Sequence, residues 1–537
     1  MKLHRLPEYI LITTVLLAGM GLALYCGRAI GTGQTNPLME IFAGAVVVAI
    51  CIKWRTNTWV LIPATWVMDG QINFLAIPFS VRELVVPSVF AMFLVFKALK
   101  VVKMKPNYGL IDFLLAVNLF YLLATFVRNP AGVDALGSDR VGGRPYFSAF
   151  VSILAYWVLV RVTMSPKQAR RIPVYSLLGG TVPGLLSSVT YHFPATAPFL
   201  GRLYSGINPE VYNAGLEGVF LNNSETGRQA HLGPPGVAII STLGAYFRPL
   251  TLINPLYLFR SIVFYIGLYW VLISGHRVWV IGAVATFLLT TYAWRRTTDM
   301  FKLVVWVFPI LILIVAANGI LFDLPLPAQR ALSFLPGNWN KDEASSAEDS
   351  TQWRIEIWRE AFISDKYIKN KWFGDGFGYS RAAYFETIRA AEMRSDNVGQ
   401  ENALVLGAFH SGPISTIRVV GVVGLLLFNV LLIYMAIYSW RLIRRCEGTP
   451  FFAIALLFGV QQVIYPFFFI FVFGAYENGL PNAVFNAGML KLIDHSLDVY
   501  RLSLNPEDGI PAVAADPPKS PLTRRRPVPV GLAYIGR

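Results

Sequence analysis

The sequence predicts an all-α polytopic membrane protein of about 12–14 transmembrane helices, with one large extracytoplasmic loop that contains a short amphipathic helix. Three observations carry this. Only 14% of the 537 residues are charged and 55% are hydrophobic, whereas a soluble domain carries about a quarter charged residues. Apolar runs of about 16–25 residues recur along the chain, and mean hydropathy is +0.52. Lys and Arg collect in short clusters between these runs.

Helices are expected at about 10–26, 38–52, 56–68, 84–100, 110–127, 147–163, 172–190, 233–247, 255–274, 278–293, 301–319, 413–438, 451–474 and 480–495. The first has a basic start (Lys2, His4, Arg5), but "ALYCGRAIG" is no clean cleavage site and more such runs follow, so it reads as a membrane helix. Orientation follows from the basic clusters "KWR" (53–55), "KALKVVKMK" (97–105), "SPKQARR" (165–171), "WRR" (294–296) and "WRLIRR" (440–445). A fourteen-helix path with a cytoplasmic N-terminus puts all of them inside and residues 320–412 outside. The organisation is therefore a transmembrane bundle (1–319), an extracytoplasmic loop (320–412), C-terminal membrane helices (413–496), and a disordered, basic, Pro-rich cytoplasmic tail (497–537) that can touch anionic lipid. No internal repeat is evident.

The formal charge of +15 would suggest nucleic acid on a soluble chain. Here it is the retention signal of cytoplasmic loops, and no nucleic-acid partner is expected. Cys26, Cys51 and Cys446 lie in or beside apolar segments, with neither metal-ligand spacing nor a disulfide framework.

Arginines on the outer side run against the charge rule and need a reason. They stand in "RNPAGVDALGSDRVGGRPY" (128–146, with Arg140 and Arg144), in the 191–232 loop (Arg202 and Arg228, with Glu217 and His231), and in the turn "SGHR" (274–277), which ends in Arg277. Pairing with acids or lipid headgroups is one reading. An anion held at the outer membrane face is the other.

The long loop opens with "NWNKDEASSAEDS" (338–350), which reads as a solvated acidic linker. A helix is expected to follow, capped by Asp349 with Gln352 three residues on. Arg354, Trp358 and Ala361 share one face of it, and Ile355 and Phe362 broaden its apolar side, so it suits the membrane surface. "WFGDGFG" (372–378) ends the unit: Gly374, Gly376 and Gly378 allow a tight turn and close approach to the backbone. No strand precedes these glycines, which argues against a nucleotide site. His410 stands just before the next membrane helix, where Gly421 and Gly424 would permit close helix packing. On position alone, a His at such an interface is most simply a satisfied polar residue.

Arg354-x-x-x-Trp358-x-x-Ala361, the Gly-x-Gly-x-Gly turn, and a His before a Gly-x-x-Gly helix together resemble the signature of the O-antigen ligase and O-antigen polymerase superfamily. "SGHR" resembles that family's Ser-x-Ser-Arg turn and carries its arginine onto Arg277. "EGVFLNNSETGRQAHLGPPGVAIIS" (217–241) loosely resembles the segment before its middle helices. The resemblance covers roughly 215–440. Two positions depart from the pattern: Ser411 replaces the family's Asn after the His, and His276 replaces the second Ser of the turn.

The resemblance implies a glycosyltransferase of the bacterial inner membrane, multi-pass, with both N-terminus and tail cytoplasmic. Its donor would be a glycan on undecaprenyl diphosphate. Its acceptor would be lipid A core, a growing polysaccharide, or a protein. The acceptor hydroxyl attacks the anomeric carbon and the lipid diphosphate leaves. The chain has no Asp-x-Asp motif, so no metal or other cofactor is expected, and arginine is the alternative partner for the diphosphate. Arg277 and Arg354 are the first candidates, with Arg144, Arg140 and Arg228 as helpers. His410 is the candidate general base, since an unperturbed imidazole titrates at about 6.5. Trp358 and Trp372 read as loop anchors, with sugar stacking as the alternative. A polysaccharide or lipid transporter is the rival function. Convergence of Arg277, Arg354 and His410 on one outer cavity would favour the enzyme, and a central ionisable path would favour transport.

Overall fold

The computed structural model describes residues 53–73, 79–98, 108–130, 143–216, 228–294, 297–365, 367–377, 404, 407 and 409–504. The two helices expected at 10–26 and 38–52, and the tail from 505 on, lie outside the described residues.

The chain is an all-α polytopic membrane protein. The principal helices are α1 (Leu61–Thr65), α2 (Val81–Ala98), α3 (Leu110–Arg128), α4 (Arg144–Leu159), α5 (Pro166–His192), α6 (Gly233–Tyr246), α7 (Leu258–Ile273), α8 (Arg277–Ala293), α9 (Phe308–Ala317), α10 (Leu326–Leu332), α11 (Lys341–Ile363), α12 (Gly412–Cys446), α13 (Phe452–Phe471) and α14 (Tyr476–Leu504). No β-strand forms among the described residues; two isolated bridges do. Five helical segments there are long and apolar enough to cross a membrane: Leu110–Arg128, Pro166–His192, Pro255–Ile273, Gly412–Cys446 and Phe452–Phe471.

Local chemistry explains the better-defined ends. Ser165 caps α5: it accepts from the Gln168 backbone at 3.3 Å, while the Gln168 side chain accepts from the Ser165 backbone at 2.8 Å. Pro166 follows at the first helical position, where its missing N–H costs nothing.

Four expected elements differ. The 56–68 helix is a 3-10 turn (Arg55–Val60) running into the five-residue α1, because Pro63 and the aromatic-rich sequence leave few regular turns. The 301–319 helix is broken: Thr297–Lys302 passes through a π-helical turn at Leu303–Val307 before α9. The last helix continues to Leu504, eight residues into the segment expected to be disordered from 497. The "acidic linker" is the first half of α11. Asn340, not Asp349, caps it, its side chain accepting from the Asp342 and Glu343 backbones at 2.9 and 3.3 Å.

α12 runs through the centre, against α13 along much of its length and against α3 and α14. Phe428 of α12 meets Phe469 and Tyr476 edge-on, each at 5.1 Å, and all three are buried.

The described residues of the basic clusters gather at one end of the bundle. There Arg444 donates to the Ala293 carbonyl at 3.2 Å, Gln168 donates to Asn57 at 2.8 Å, and Lys97 lies over Trp157. Arg445 pairs with Asp494 and Asp498, and Lys491 with Asp112. The opposite end carries the starts of α2, α4, α8, α12 and α14, together with the described residues of the long loop. The candidate site is at that end.

Candidate functional site

The site begins with a helical stripe. On α11, Glu343, Ala347, Ser350, Arg354, Ile357 and Ala361 recur at alternating steps of four and three, so they share one face. Ala347, Ser350 and Arg354 of this stripe line a cavity. Ile357 and Ala361 pack with Tyr367, Ile368, Leu404, Phe409 and Ile417 in a small core of its own. One helix therefore both aims Arg354 into the cavity and fastens the segment that carries His410.

The cavity holds about 180 Å³ and is lined by Arg228, Arg277, Arg330 and Arg354, with His276, Ser350 and Phe473 among its other walls. Arg277 comes from the turn between α7 and α8. Gly275 makes that turn at φ +70°, and a Cβ there would meet the Arg228 side chain at 2.9 Å, so the glycine also makes room for the second arginine. Arg277 donates to Ser333 at 3.0 Å. Arg330, on α10, donates to the Gly275 carbonyl at 3.1 Å and to Ser350 at 3.0 Å. Its nearest carboxylate is Glu343, at 4.0 Å. Among the described residues, neither the Arg228 nor the Arg354 guanidinium makes a hydrogen bond or a close ion pair, the Glu343 carboxyl feels the Arg228 charge only at longer range, and no acid lines the cavity.

Four guanidinium groups around one small space, with so little countercharge, strain the local electrostatics. Burial, then Arg228, lowers the Arg330 pKa; burial, then Arg277, lowers that of Arg354. His276 is pushed down to about 4, by burial first and then by Arg330, Arg228 and Arg354, so it is neutral at physiological pH. Burial raises the Glu343 carboxyl against the opposing pull of Arg330. An anion with several oxygens is the ligand that relieves such a site.

His410 stands beside this cavity rather than among its lining residues. Its ring lies 5.6 Å from Phe473, which lines the cavity, and 5.9 Å from Trp353. Its electrostatic interaction is the smallest of those that lower the His276 pKa. Its backbone sits at φ +50°, a region that non-glycine residues seldom occupy. The preceding carbonyl, of Phe409, accepts from the Trp358 indole at 2.6 Å, and Phe409 is itself buried. Trp358 thus ties α11 to the segment before α12.

The glycine turn docks onto a break in α12. Gly421 interrupts that helix at φ +71°, and a Cβ on it would meet the Trp372 carbonyl oxygen at 2.1 Å. Gly374 and Gly376 also have positive φ, +77° and +82°. The backbones of Asp375 and Gly376 donate to the carbonyls of Arg418 and Val419 at 2.6 and 2.9 Å; those of Val422 and Val423 donate to Lys371 and Trp372 at 2.8 and 3.2 Å. The loop supplies the partners that the broken helix loses. Arg128 closes the turn from α3, donating to the carbonyls of Phe373 and Gly374 at 2.6 and 2.7 Å. Trp372 holds through its backbone, its ring being two-thirds exposed (67%). Gly424, by contrast, faces Tyr121 of α3 in a helix–helix contact, whereas Gly421 serves the loop rather than helix packing.

Of the arginines singled out from sequence, Arg277, Arg354 and Arg228 meet in one cavity. Arg144 does not line it: it is buried against Glu83 at 3.3 Å and lines a second cavity. Arg140 and Gly378 lie outside the described residues. Sequence reasoning missed Arg330 and His276. Arg330 carries the same signal as the others, an arginine on the outer side, but its loop position gave no hint of its direction. His276 was visible only as a departure from a family pattern.

Residues 262–429 match the sequence profile of a family described as O-antigen ligase. No curated protein matches the chain. The matched region spans Arg277, Arg330, Arg354, the glycine turn, His410 and the Gly421 break. Over this matched region, within a multi-pass helical bundle, the protein is similar to the O-antigen ligase family, a group of glycan-processing membrane proteins.

Proposed function

We propose that the protein transfers a glycan from undecaprenyl diphosphate to an acceptor hydroxyl at the outer face of the bacterial inner membrane, as a ligase or a polysaccharide polymerase. The observation that carries this is the convergence of Arg228, Arg277, Arg330 and Arg354 on one cavity beside His410. Among the described residues no carboxylate lines this cavity, and the diphosphate would supply the missing countercharge. It leaves bearing the electron pair of the glycosidic C–O bond, and the arginines stabilise the charge it gains. His410 accepts the acceptor hydroxyl's proton as the new C–O bond forms at the anomeric carbon. Neutral His276 serves the same site as a hydrogen-bond donor to a phosphate oxygen. No metal is required in this scheme, because the guanidinium groups neutralise the charge on the leaving diphosphate.

The convergence at one end of the bundle favours this reading over a polysaccharide or lipid transporter. The deciding assay uses purified protein in nanodiscs, supplied with an undecaprenyl-diphosphate-linked repeat unit, the glycans being run on a gel. A ladder formed without a separate acceptor, and lost in His410→Ala, identifies a polymerase using this site. Transfer only when lipid A core or a protein acceptor is added identifies a ligase. No product under any condition, with the protein correctly inserted, contradicts the proposal.

A further inference from the structure

A second polar cavity, of about 280 Å³, opens at the same end of the bundle as the arginine cavity. Asp69, Arg82, Glu83, Arg144, Ser148 and Asn478 are among its walls, with Glu477 beside them. Its chemistry is opposite in kind. Among the described residues, the arginine cavity is lined by four guanidinium groups and no acid, whereas this one is lined by three carboxylates and two guanidinium groups. Its frame is rigid. The buried Glu83 carboxylate accepts from the Ser80 backbone at 2.7 Å and from Arg144 at 3.3 Å. Arg82 pairs with Asp69 at 2.8 Å, donates to Ser148 at 3.2 Å and lies over the Trp66 ring, with its buried Nε left without a partner.

A diphosphate is poorly matched to walls that carry three carboxylates. A neutral, hydroxyl-rich molecule suits them, because each hydroxyl both donates and accepts, and the walls offer carboxylates, an amide, a serine and guanidinium N–H groups. The two cavities are also close along the chain. Phe473 lines the first, and Glu477 and Asn478 line the second, at the α13–α14 connection. Four residues span at most about 14 Å. Tyr476, buried between them, is held by its backbone N–H to Ser415 at 3.2 Å, at the start of the helix that follows His410.

We propose that this second cavity binds the acceptor glycan, so that its sugar hydroxyls are read here while the reacting hydroxyl reaches His410. The assignment to the acceptor rests on the transfer reaction proposed above; binding of a glycan as such does not.

The test is site-specific photo-crosslinking in the full chain, in membranes of a Gram-negative host, with the host's own envelope glycans as the probe. A benzophenone amino acid is placed at Ser148, at Asn478, at Thr351 in the arginine cavity, and at Leu178 as a lipid-facing control. Adducts are read by mass spectrometry. The proposal expects sugar-containing, phosphate-free adducts at Ser148 and Asn478, at least tenfold above Leu178 and retained in an Arg354→Gln background. Thr351 should give phosphate-bearing adducts that Arg354→Gln removes. Loss of the Thr351 result alone would count against the donor reading and leave the second cavity standing. Lipid adducts, or none, at Ser148 and Asn478 in protein that accumulates normally would overturn the proposal; where one variant fails to accumulate, the other decides.

Discussion

Arg277 and Arg354 stand 77 positions apart in sequence yet line one cavity, and the charge of Arg277 makes the protonated state of Arg354 harder to hold. Like charges are brought together here by two separate devices: the Gly275 turn before α8 and the capped α11. Such an arrangement costs stability in the empty protein and repays it when an anion binds.

That relationship separates binding from folding. Arg354→Gln should leave the thermal midpoint of the empty protein unchanged or raise it, because it removes like-charge repulsion. It should also lower glycan transfer by about 100-fold or more, the usual loss when a donor to a developing negative charge is removed. Thermal denaturation and single-turnover transfer on the same preparation check both halves.

His276 gives a pH dependence with a defined sign. Its pKa of about 4 in the folded protein lies below the ordinary imidazole value near 6.5. As pH falls through about 6.5 the unfolded chain binds a proton that the folded one refuses until about 4. This contribution to stability is therefore full above that window and lost as pH drops through it. Pyrophosphate in the cavity should raise the folded pKa and shrink the loss. Thermal midpoints between about pH 7.5 and 4.5, with and without pyrophosphate, test this, and His276→Gln should flatten the difference.

The docking of the loop on α12 predicts a shared failure. Gly421→Ala would set a Cβ 2.1 Å from the Trp372 carbonyl oxygen, and Gly374→Ala one 2.4 Å from the Val419 carbonyl. Each also places alanine at positive φ, a strain of about 1–3 kcal/mol. Each should expose the 370–376 turn to protease. The double variant should be little worse than either single one, because both break the same contact.

Trp358→Phe keeps most of the ring and removes the hydrogen bond to the Phe409 carbonyl. The expected loss of stability is about 1 kcal/mol. The expected loss of kcat is larger than that figure implies, because the left-handed backbone of His410 depends on the same segment. Steady-state kinetics should show kcat falling with the donor KM little changed.

Much of this was legible in the sequence where one-dimensional patterns suffice. The Arg354, Trp358 and Ala361 face is a periodicity, and it is the face that α11 turns inward. The glycines of "WFGDGFG" signalled a tight turn and a close backbone approach, and Gly374 and Gly376 make that turn at positive φ. What the sequence hid was tertiary. The polar composition of 338–350 reads as linker, yet the Asn340 cap and packing against α10 make it helix. Gly421 looked like a helix-packing residue, because nothing local shows that the distant Trp372–Phe373 backbone will insert against it. Arg144 satisfied the same outer-side rule as Arg277, and only the position of Glu83 sends it to a different cavity.

The most direct test of the account is the affinity of undecaprenyl diphosphate for the protein in nanodiscs, measured for the wild type, Arg277→Gln, Arg354→Gln and, as a control away from the cavity, Arg202→Gln. The account predicts that both cavity variants weaken binding by at least tenfold, increasingly so at low salt, while Arg202→Gln binds as the wild type does. Undiminished affinity in correctly folded Arg277→Gln and Arg354→Gln would contradict it.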